Sequence, residues 1–212
     1  MSRYRTLSKR IDSELRERSA KGSLFIVSAP AGTGKTTLVD MLLKEFSSAI
    51  ASISFTTRKP RAGEIEGKHY HFLSPEEFEK RIAEDEFLEY VTLYGDYYGT
   101  STEWVKSYLN AGTDVILVID TQGARLLRSR CTASLPSRLV TLFIAPPSLL
   151  ELEKRLRGRA TDAEEKIEQR LKCAQVEIEE MKFYDYGIVN DDLNAAYDAL
   201  RSIYIAEKHR IF

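Results

Sequence analysis

The segment "APAGTGKTT", Ala29–Thr37, constrains this chain more than any other. It follows the short apolar run "SLFIVS" (Ser23–Ser28) and precedes "TTLVDMLLKEF", whose apolar residues recur at helical spacing. Strand, glycine-rich loop and helix in that order can wrap phosphate groups. Successive backbone N–H groups turn toward the anion, and the helix N-terminus adds a favourable dipole. Lys35 is positioned to reach the β- and γ-phosphates of a nucleoside triphosphate, and the Thr36 hydroxyl to ligate Mg²⁺. Ala29, Pro30, Ala31, Gly32, Thr33, Gly34, Lys35, Thr36 and Thr37 therefore form the candidate nucleotide-binding loop. Ala29 stands where G-x-x-x-x-G-K-[ST] has its first glycine, which is acceptable if φ there is negative. The alternative is an ordinary strand-turn-helix corner that carries Gly-Lys-Thr incidentally.

Three more apolar runs predict strands: "DVILVID" (Asp114–Asp120), "RLVTLFIA" (Arg138–Ala145) and "GIVN" (Gly187–Asn190). Helical spacing is found over Thr102–Asn110, Ser148–Arg157, Thr161–Lys182 and Asn194–Lys208. This alternation predicts an α/β fold with a mostly parallel central sheet flanked by helices. Residues 56–100 break it and predict a small α+β insert. Its helix starts at "SPEE", with Ser74 as N-cap, Pro75 at the first position and Glu77 closing a capping box. "TDAE" (Thr161–Glu164) is a second such start.

A net charge of −1 excludes a global basic field for nucleic acid. No stretch approaches membrane-spanning length, and the N-terminus lacks an apolar signal run. Cys131 and Cys173 are far apart and outside metal-ligand spacing, which predicts reduced thiols and a cytoplasmic location. Residues 1–21 predict a charged leader with Tyr4, Leu7, Ile11 and Leu15 on one helical face.

Local basic clusters need a local explanation. In "FTTRKPRAGEIEGKHYHF" (Phe55–Phe72), Arg58 and Arg61 lie beside Gly63, Glu64, Gly67 and Tyr70. Two guanidinium groups suit a phosphate held in a fixed fork. The alternative is a solvated loop in which they pair with Glu64 and Glu66. Asp120, at the carboxyl end of an apolar strand, suits a Mg²⁺-water contact, a substrate contact or the N-cap of a helix starting at Thr121. Arg155, Arg159 and Arg170 suit either a phosphate lid or a helix surface balanced by Glu151, Glu153, Glu164 and Glu165. His69 and His71 have no third ligand nearby and predict structural roles. They alternate on an expected strand, facing away from Tyr70.

Together with the phosphate loop, four segments resemble the guanylate kinase family of P-loop nucleoside monophosphate kinases. They are "TTRKPRAGEIEGKHYHF", "YYGTS" (Tyr97–Ser101), "RLRGRATDAEEKIEQR" (Arg155–Arg170) and "IVNDD" (Ile188–Asp192), and the resemblance runs from about Gly22 to Lys208. It implies transfer of the γ-phosphoryl of ATP to GMP, and also to dGMP, with Mg²⁺ required. It also implies a P-loop kinase fold over 22–208. The core would be 22–55, 101–147 and 183–208, with a GMP-binding insert at 56–100 and a helical arginine lid at 148–182. By the same resemblance, Arg58, Arg61, Glu64, Tyr70 and Tyr98 surround the GMP phosphate. Glu89, Ser54, Thr100 and Asp120 contact the base. Lys35, Arg58, Arg155, Arg159 and Arg170 are catalytic, Arg159 and Asn190 approach ATP, and Thr36 and Asp120 serve the metal. Guanine offers donors at N1–H and its 2-amino group, both of which one carboxylate can accept, whereas adenine has no such pair. On residues alone, Glu89 is equally an exposed strand position. Val118 stands where the family usually has Asp, Ala160 where it has Gly, and Thr100 where Ser is common. Two rivals are a kinase for another nucleoside monophosphate and a catalytically weak phosphopeptide-binding module of the same family. Such modules lose the phosphate loop, which is intact here.

Overall fold

The structure is a computed structural model and describes residues 21–93, 95–134, 138–158 and 164–210. In chain order these form β1 (Leu24–Ser28), α1 (Lys35–Glu45), β2 (Ala49–Ala51), β3 (Phe55–Thr56), β4 (His71–Phe72), α2 (Pro75–Ala83), β5 (Phe87–Leu93), β6 (Asp96–Ser101), α3 (Thr102–Asn110), β7 (Asp114–Val118), α4 (Thr121–Ser134), β8 (Leu139–Ala145), α5 (Leu149–Gly158), α6 (Glu164–Glu179), β9 (Tyr186–Val189) and α7 (Leu193–His209). A short 3₁₀ turn, Glu180–Phe183, follows α6.

Five strands form a parallel sheet in the order β2-β7-β1-β8-β9. β1 is central and buried on both sides, which explains its unbroken apolar sequence. Its side chains alternate between two cores. Phe25 and Val27 pack with Leu38, Val39 and Leu42 of α1 and with Ala196, Leu200 and Tyr204 of α7. Leu24 and Ile26 pack with Val105 and Leu109 of α3 and Ala124 and Leu127 of α4. A third cluster, Leu152, Leu156, Ile167 and Ala174, holds α5 against α6.

The second sheet has the order β4-β3-β6-β5. Phe78 of α2 is fully buried against it, stacked on Phe87 and Tyr97 with ring centroids 4.3 and 5.1 Å apart. Ser74 caps α2 by accepting from the Glu77 N–H at 3.2 Å, with Pro75 at the first position. The Glu77 carboxylate instead pairs with Arg81 at 3.2 Å, so only the Ser74 half of the expected capping box forms.

Three sequence-predicted strands run one or two residues long, and the fourth, Gly187–Asn190, is shifted by one residue from β9. β7 ends at Val118, leaving Ile119 and Asp120 beyond the strand. Three-residue β2 was not anticipated, because its "AIA" is too short to carry a period. His69 lies before β4 and accepts from the Ile65 N–H at 2.9 Å through Nδ1. Only His71 is in a strand, where it contacts Glu66 and stacks on Phe55. Residues 1–20 of the leader, Arg159, Ala160 and the "TDAE" start up to Ala163 lie outside the described residues. Among the described residues, no helix is long and apolar enough to cross a membrane.

One buried carboxylate ties the amino edge of the large sheet to α7. Asp114 is 3% exposed. Its Oδ1 accepts from the Ser23 N–H at 2.8 Å, and its Oδ2 accepts from the Tyr204 hydroxyl and the Lys208 ammonium, each at 2.6 Å. Asp114→Ala strands all three donors, so we expect a loss of about 3 kcal/mol or more in urea denaturation. The site lies at the opposite ends of the strands, so activity per folded molecule should be kept. A stability change below about 1 kcal/mol would mean that water replaces the carboxylate without cost.

Candidate active site

The phosphate loop is built from β1, α1 and a tie from the far side of the sheet. Gly34 precedes α1 with φ 88° and ψ 13°, a left-handed conformation that suits glycine. A Cβ there would also fall 2.6 Å from the Asn190 amide nitrogen. That amide is buried and donates to the Thr33 carbonyl at 2.6 Å, while the Thr33 hydroxyl donates to the Pro30 carbonyl at 2.8 Å. These two bonds tie the loop to itself and to the residue that follows β9. Ala29 is buried at the end of β1. Asp85 is the only non-glycine with positive φ among the described residues, so Ala29 meets the condition its substitution required.

Two cavities flank this loop. One, about 600 Å³, is lined by Pro30–Thr37 together with Arg61, Tyr70, Lys166 and Arg170. The other, about 380 Å³, lies between the two sheets. Lys35, Arg61, Tyr70, Lys166 and Arg170 line both. These five form a shared wall of four cations and one phenol, where a group bound in one cavity meets a group bound in the other.

The smaller cavity has two chemically distinct clusters. In the first, Arg58 is clamped by Glu64 in a bidentate pair at 3.0 and 2.9 Å. Glu64 also accepts from the Arg61 N–H at 2.7 Å. The Arg58 guanidinium is 5.2 Å from the Tyr70 ring centre, and Tyr98 is its further hydrogen-bond partner. Glu64 holds the guanidinium charged, and burial pushes the Tyr70 hydroxyl up, so this end sets a cation beside a neutral phenol donor. In the second cluster, Glu89 is 2% exposed and accepts from the Thr100 hydroxyl at 2.6 Å. The other Glu89 oxygen lies close to Gly123, where an added Cβ would stand 2.8 Å from it and 3.3 Å from Asp120 Oδ1. Asp120 accepts from the Gly123 N–H at 2.9 Å and caps α4, as one of its expected roles requires. Ser54, Glu89 and Asp120 line this cavity beside Val118.

Burial dominates the ionisation of Lys35 and of the two carboxylates that act on it. It lowers the Lys35 ammonium, an effect opposed by Glu177 and Asp120. Burial also raises Asp120, opposed by the Gly123 N–H and by Lys35. Glu177 is pushed up to about 7, again by burial, with Lys35 opposing and Asp120 reinforcing. Anionic phosphates arriving beside Lys35 would favour its charged form.

The remaining expected residues fall elsewhere. Thr36 and Thr37 are exposed on the larger cavity. Glu64 and Thr100 stand behind the lining and orient Arg58 and Glu89. Arg155 is not on the shared wall: it donates to the Asn190 carbonyl at 2.9 Å and pairs with Glu151 at 3.3 Å. Asn190 itself lines neither cavity and braces the phosphate loop instead. Sequence reasoning missed Lys166 and Glu177. The only signal was their spacing from Arg170, four residues before and seven after, which keeps all three on one face of α6.

A family model described as guanylate kinase matches residues 21–207. The chain is 59% identical over 191 residues to a guanylate kinase of Protochlamydia amoebophila, covering 90% of this chain and 94% of that protein. It is 50% identical over 188 residues to a guanylate kinase of Chlamydia pneumoniae, covering 88% and 89%. Among solved structures, a guanylate kinase from Anaplasma phagocytophilum superposes with a TM-score of 0.73 at 32% identity, covering 91% of this chain and 89% of that one.

The raised Glu177 links stability to pH. An acid whose pKa rises on folding weakens the native state once it ionises. Below its ordinary value of 4.5 the carboxyl is protonated whether folded or unfolded. Stability is then lost as pH rises from 4.5 through about 7, and stays at the lower level above. Glu177→Gln should therefore stabilise the protein above pH 7 by at most about 3 kcal/mol, less what solvent screens. Near pH 4 the two proteins should denature alike. An equal difference at both pH values would assign the effect to packing.

Proposed function

The chain belongs to the guanylate kinase family, and on that premise we propose that its two joined cavities pass the γ-phosphoryl group of ATP directly to the phosphate of GMP. The observation that carries this reading is the shared wall. A phosphate-loop cavity and a cavity with an arginine–tyrosine cradle and a buried carboxylate have five residues in common. In this proposal Pro30–Thr37 hold the triphosphate and Lys35 follows the transferring phosphate. Arg58, Arg61, Tyr70 and Tyr98 hold the acceptor phosphate, and Glu64 keeps Arg58 in orientation without touching the anion. Glu89 and Thr100, with Ser54 and Asp120 nearby, read guanine.

The acceptor oxygen is already anionic, so no residue has to remove a proton from it. The work left to the protein is alignment, exclusion of water and stabilisation of charge on the phosphoryl oxygens. Arg170 is already at the wall. Closure of 148–182 as a lid over the core (22–55, 101–147 and 183–208) and the insert (56–100) would bring Arg155 and Arg159 closer. The Thr36 hydroxyl and Asp120 carboxylate are hard oxygen donors. The described residues contain no group of three or more His, Cys, Asp or Glu able to cage a metal. Such a sparse set fits Mg²⁺, which keeps water ligands and takes substrate oxygens. When bound, the ion offsets charge on the phosphates. A cytoplasmic location suits the substrates, and the intact phosphate loop favours catalysis over the phosphopeptide-binding alternative.

Base choice tests this assignment. With ATP saturating, kcat/KM should be far higher for GMP and dGMP than for AMP, UMP or CMP. Glu89→Gln places a donor where guanine also donates, leaving buried groups unpaired at roughly 1–3 kcal/mol. GMP efficiency should then fall about tenfold to several hundredfold. AMP should lose less, so the GMP/AMP ratio should shrink. If both rates fall together at a constant ratio, Glu89 is structural and guanine is read elsewhere.

A further inference from the structure

The phosphate loop rests on a helix that lines neither cavity. Gly32 has φ 94°, a left-handed conformation, and lines the larger cavity. A Cβ on Gly32 would stand 2.9 Å from Leu156 Cδ2 and 3.2 Å from Leu152 Cδ1, both on α5. The space beside this glycine is therefore filled by two leucines. Leu156 is 1% and Leu152 0% exposed, whereas Leu149 and Leu150 of the same helix face solvent. Their four-residue spacing sets Leu152 and Leu156 one above the other on a single helix face. The next loop residue is tied to the same helix at one remove. Arg155 donates to the Asn190 carbonyl at 2.9 Å, and the Asn190 amide donates to the Thr33 carbonyl at 2.6 Å. α5 thus bears on two consecutive loop residues just before Gly34 and Lys35. Leu152 and Leu156 also pack with Ile167 and Ala174 of α6, so α5 lies between the loop and the helix that closes the wall.

We propose that Leu156, with Leu152 beside it, is a positioning residue for phosphoryl transfer: it seats the phosphate loop from outside both cavities, through an apolar contact on Gly32. This rests on the kinase reading above and adds a residue to it. Main-chain N–H groups bind phosphate well only where they are held in place. Leucine methyl groups packed against the glycine leave the turn no room to retreat. Deleting them opens a cavity into which the turn can relax, and a small displacement of placed groups is costly for a reaction. The loss should therefore fall on ATP affinity and on kcat, while GMP, held by the insert, is bound as before.

The test compares wild type with Leu156→Ala, the milder Leu156→Val, the conservative Leu156→Met and a control, Leu109→Ala. Leu109 is 0% exposed on α3, in the core cluster on the other side of the sheet from α1. Four quantities are read: steady-state kinetics, melting temperature, calorimetric binding of GMP alone, and calorimetric binding of adenylyl imidodiphosphate with Mg²⁺. For Leu156→Ala we expect analogue affinity and kcat each to fall about tenfold, with GMP affinity kept within about twofold. Leu156→Val should show the same pattern at about threefold, which reads the effect even if the alanine variant does not fold. Leu156→Met should restore most of both losses, because it refills the space. Leu109→Ala should melt at a lower temperature yet keep analogue affinity and kcat per folded molecule. Wild-type analogue affinity and kcat in the alanine and valine variants would overturn the assignment. So would an equal loss of both in Leu109→Ala, which would assign the effect to general destabilisation. A wild type that binds the analogue but has no GMP-dependent turnover would overturn the kinase reading. Turnover in wild type with unaffected Leu156 variants would overturn this inference alone.

Discussion

A row of backbone N–H groups has to be held still between the end of one buried strand and the start of one helix. A loop that binds phosphates through its main chain can bring no bulky side chain and can move very little. Gly34 meets the first demand through its left-handed conformation. The bond from the Asn190 amide to the Thr33 carbonyl meets the second. Asn190 follows β9 directly, so the position of the loop depends on the order of the whole parallel sheet.

The rest of the molecule follows from that fixed point. β1 must be central and buried on both faces to anchor the loop, and it is. The second sheet then faces the loop across a cleft, with Arg58 clamped by Glu64 and Glu89 bonded to Thr100. Both clamps spend a polar partner on orientation. An arginine free to swing would bind a phosphate anywhere, whereas a held one binds it in a set place, and only placed reactants gain from proximity. α6 contributes the last side of the wall through residues that share one helix face.

Much of this was legible in the sequence. The phosphate loop, the central strands and the helices carry their own periods, and α3 has the predicted bounds of Thr102–Asn110. The arginine–tyrosine segment was legible as a candidate phosphate cradle because charges and glycines cluster there against a nearly neutral background. Other features were not legible, for physical reasons. β2 is too short to show alternation. Asn190 and Arg155 sit within motif segments, yet their side chains brace the loop and the end of β9 rather than line the cavities, and spacing cannot reveal which way a side chain turns. Lys166 and Glu177 resemble any charged residues on a helix surface. Only the fold shows that this face of α6 closes a cavity.

The central claim is direct, in-line transfer across the shared wall, with no covalent stop on the protein. Stereochemistry at phosphorus tests it without any mutation. ATP carrying a chiral, isotopically labelled γ-thiophosphate is used to phosphorylate GMP, and the configuration of the transferred group is read in the product. A single in-line displacement inverts the configuration. Inversion is the outcome this structure predicts. Retention would require two displacements through a phosphorylated side chain and would contradict it.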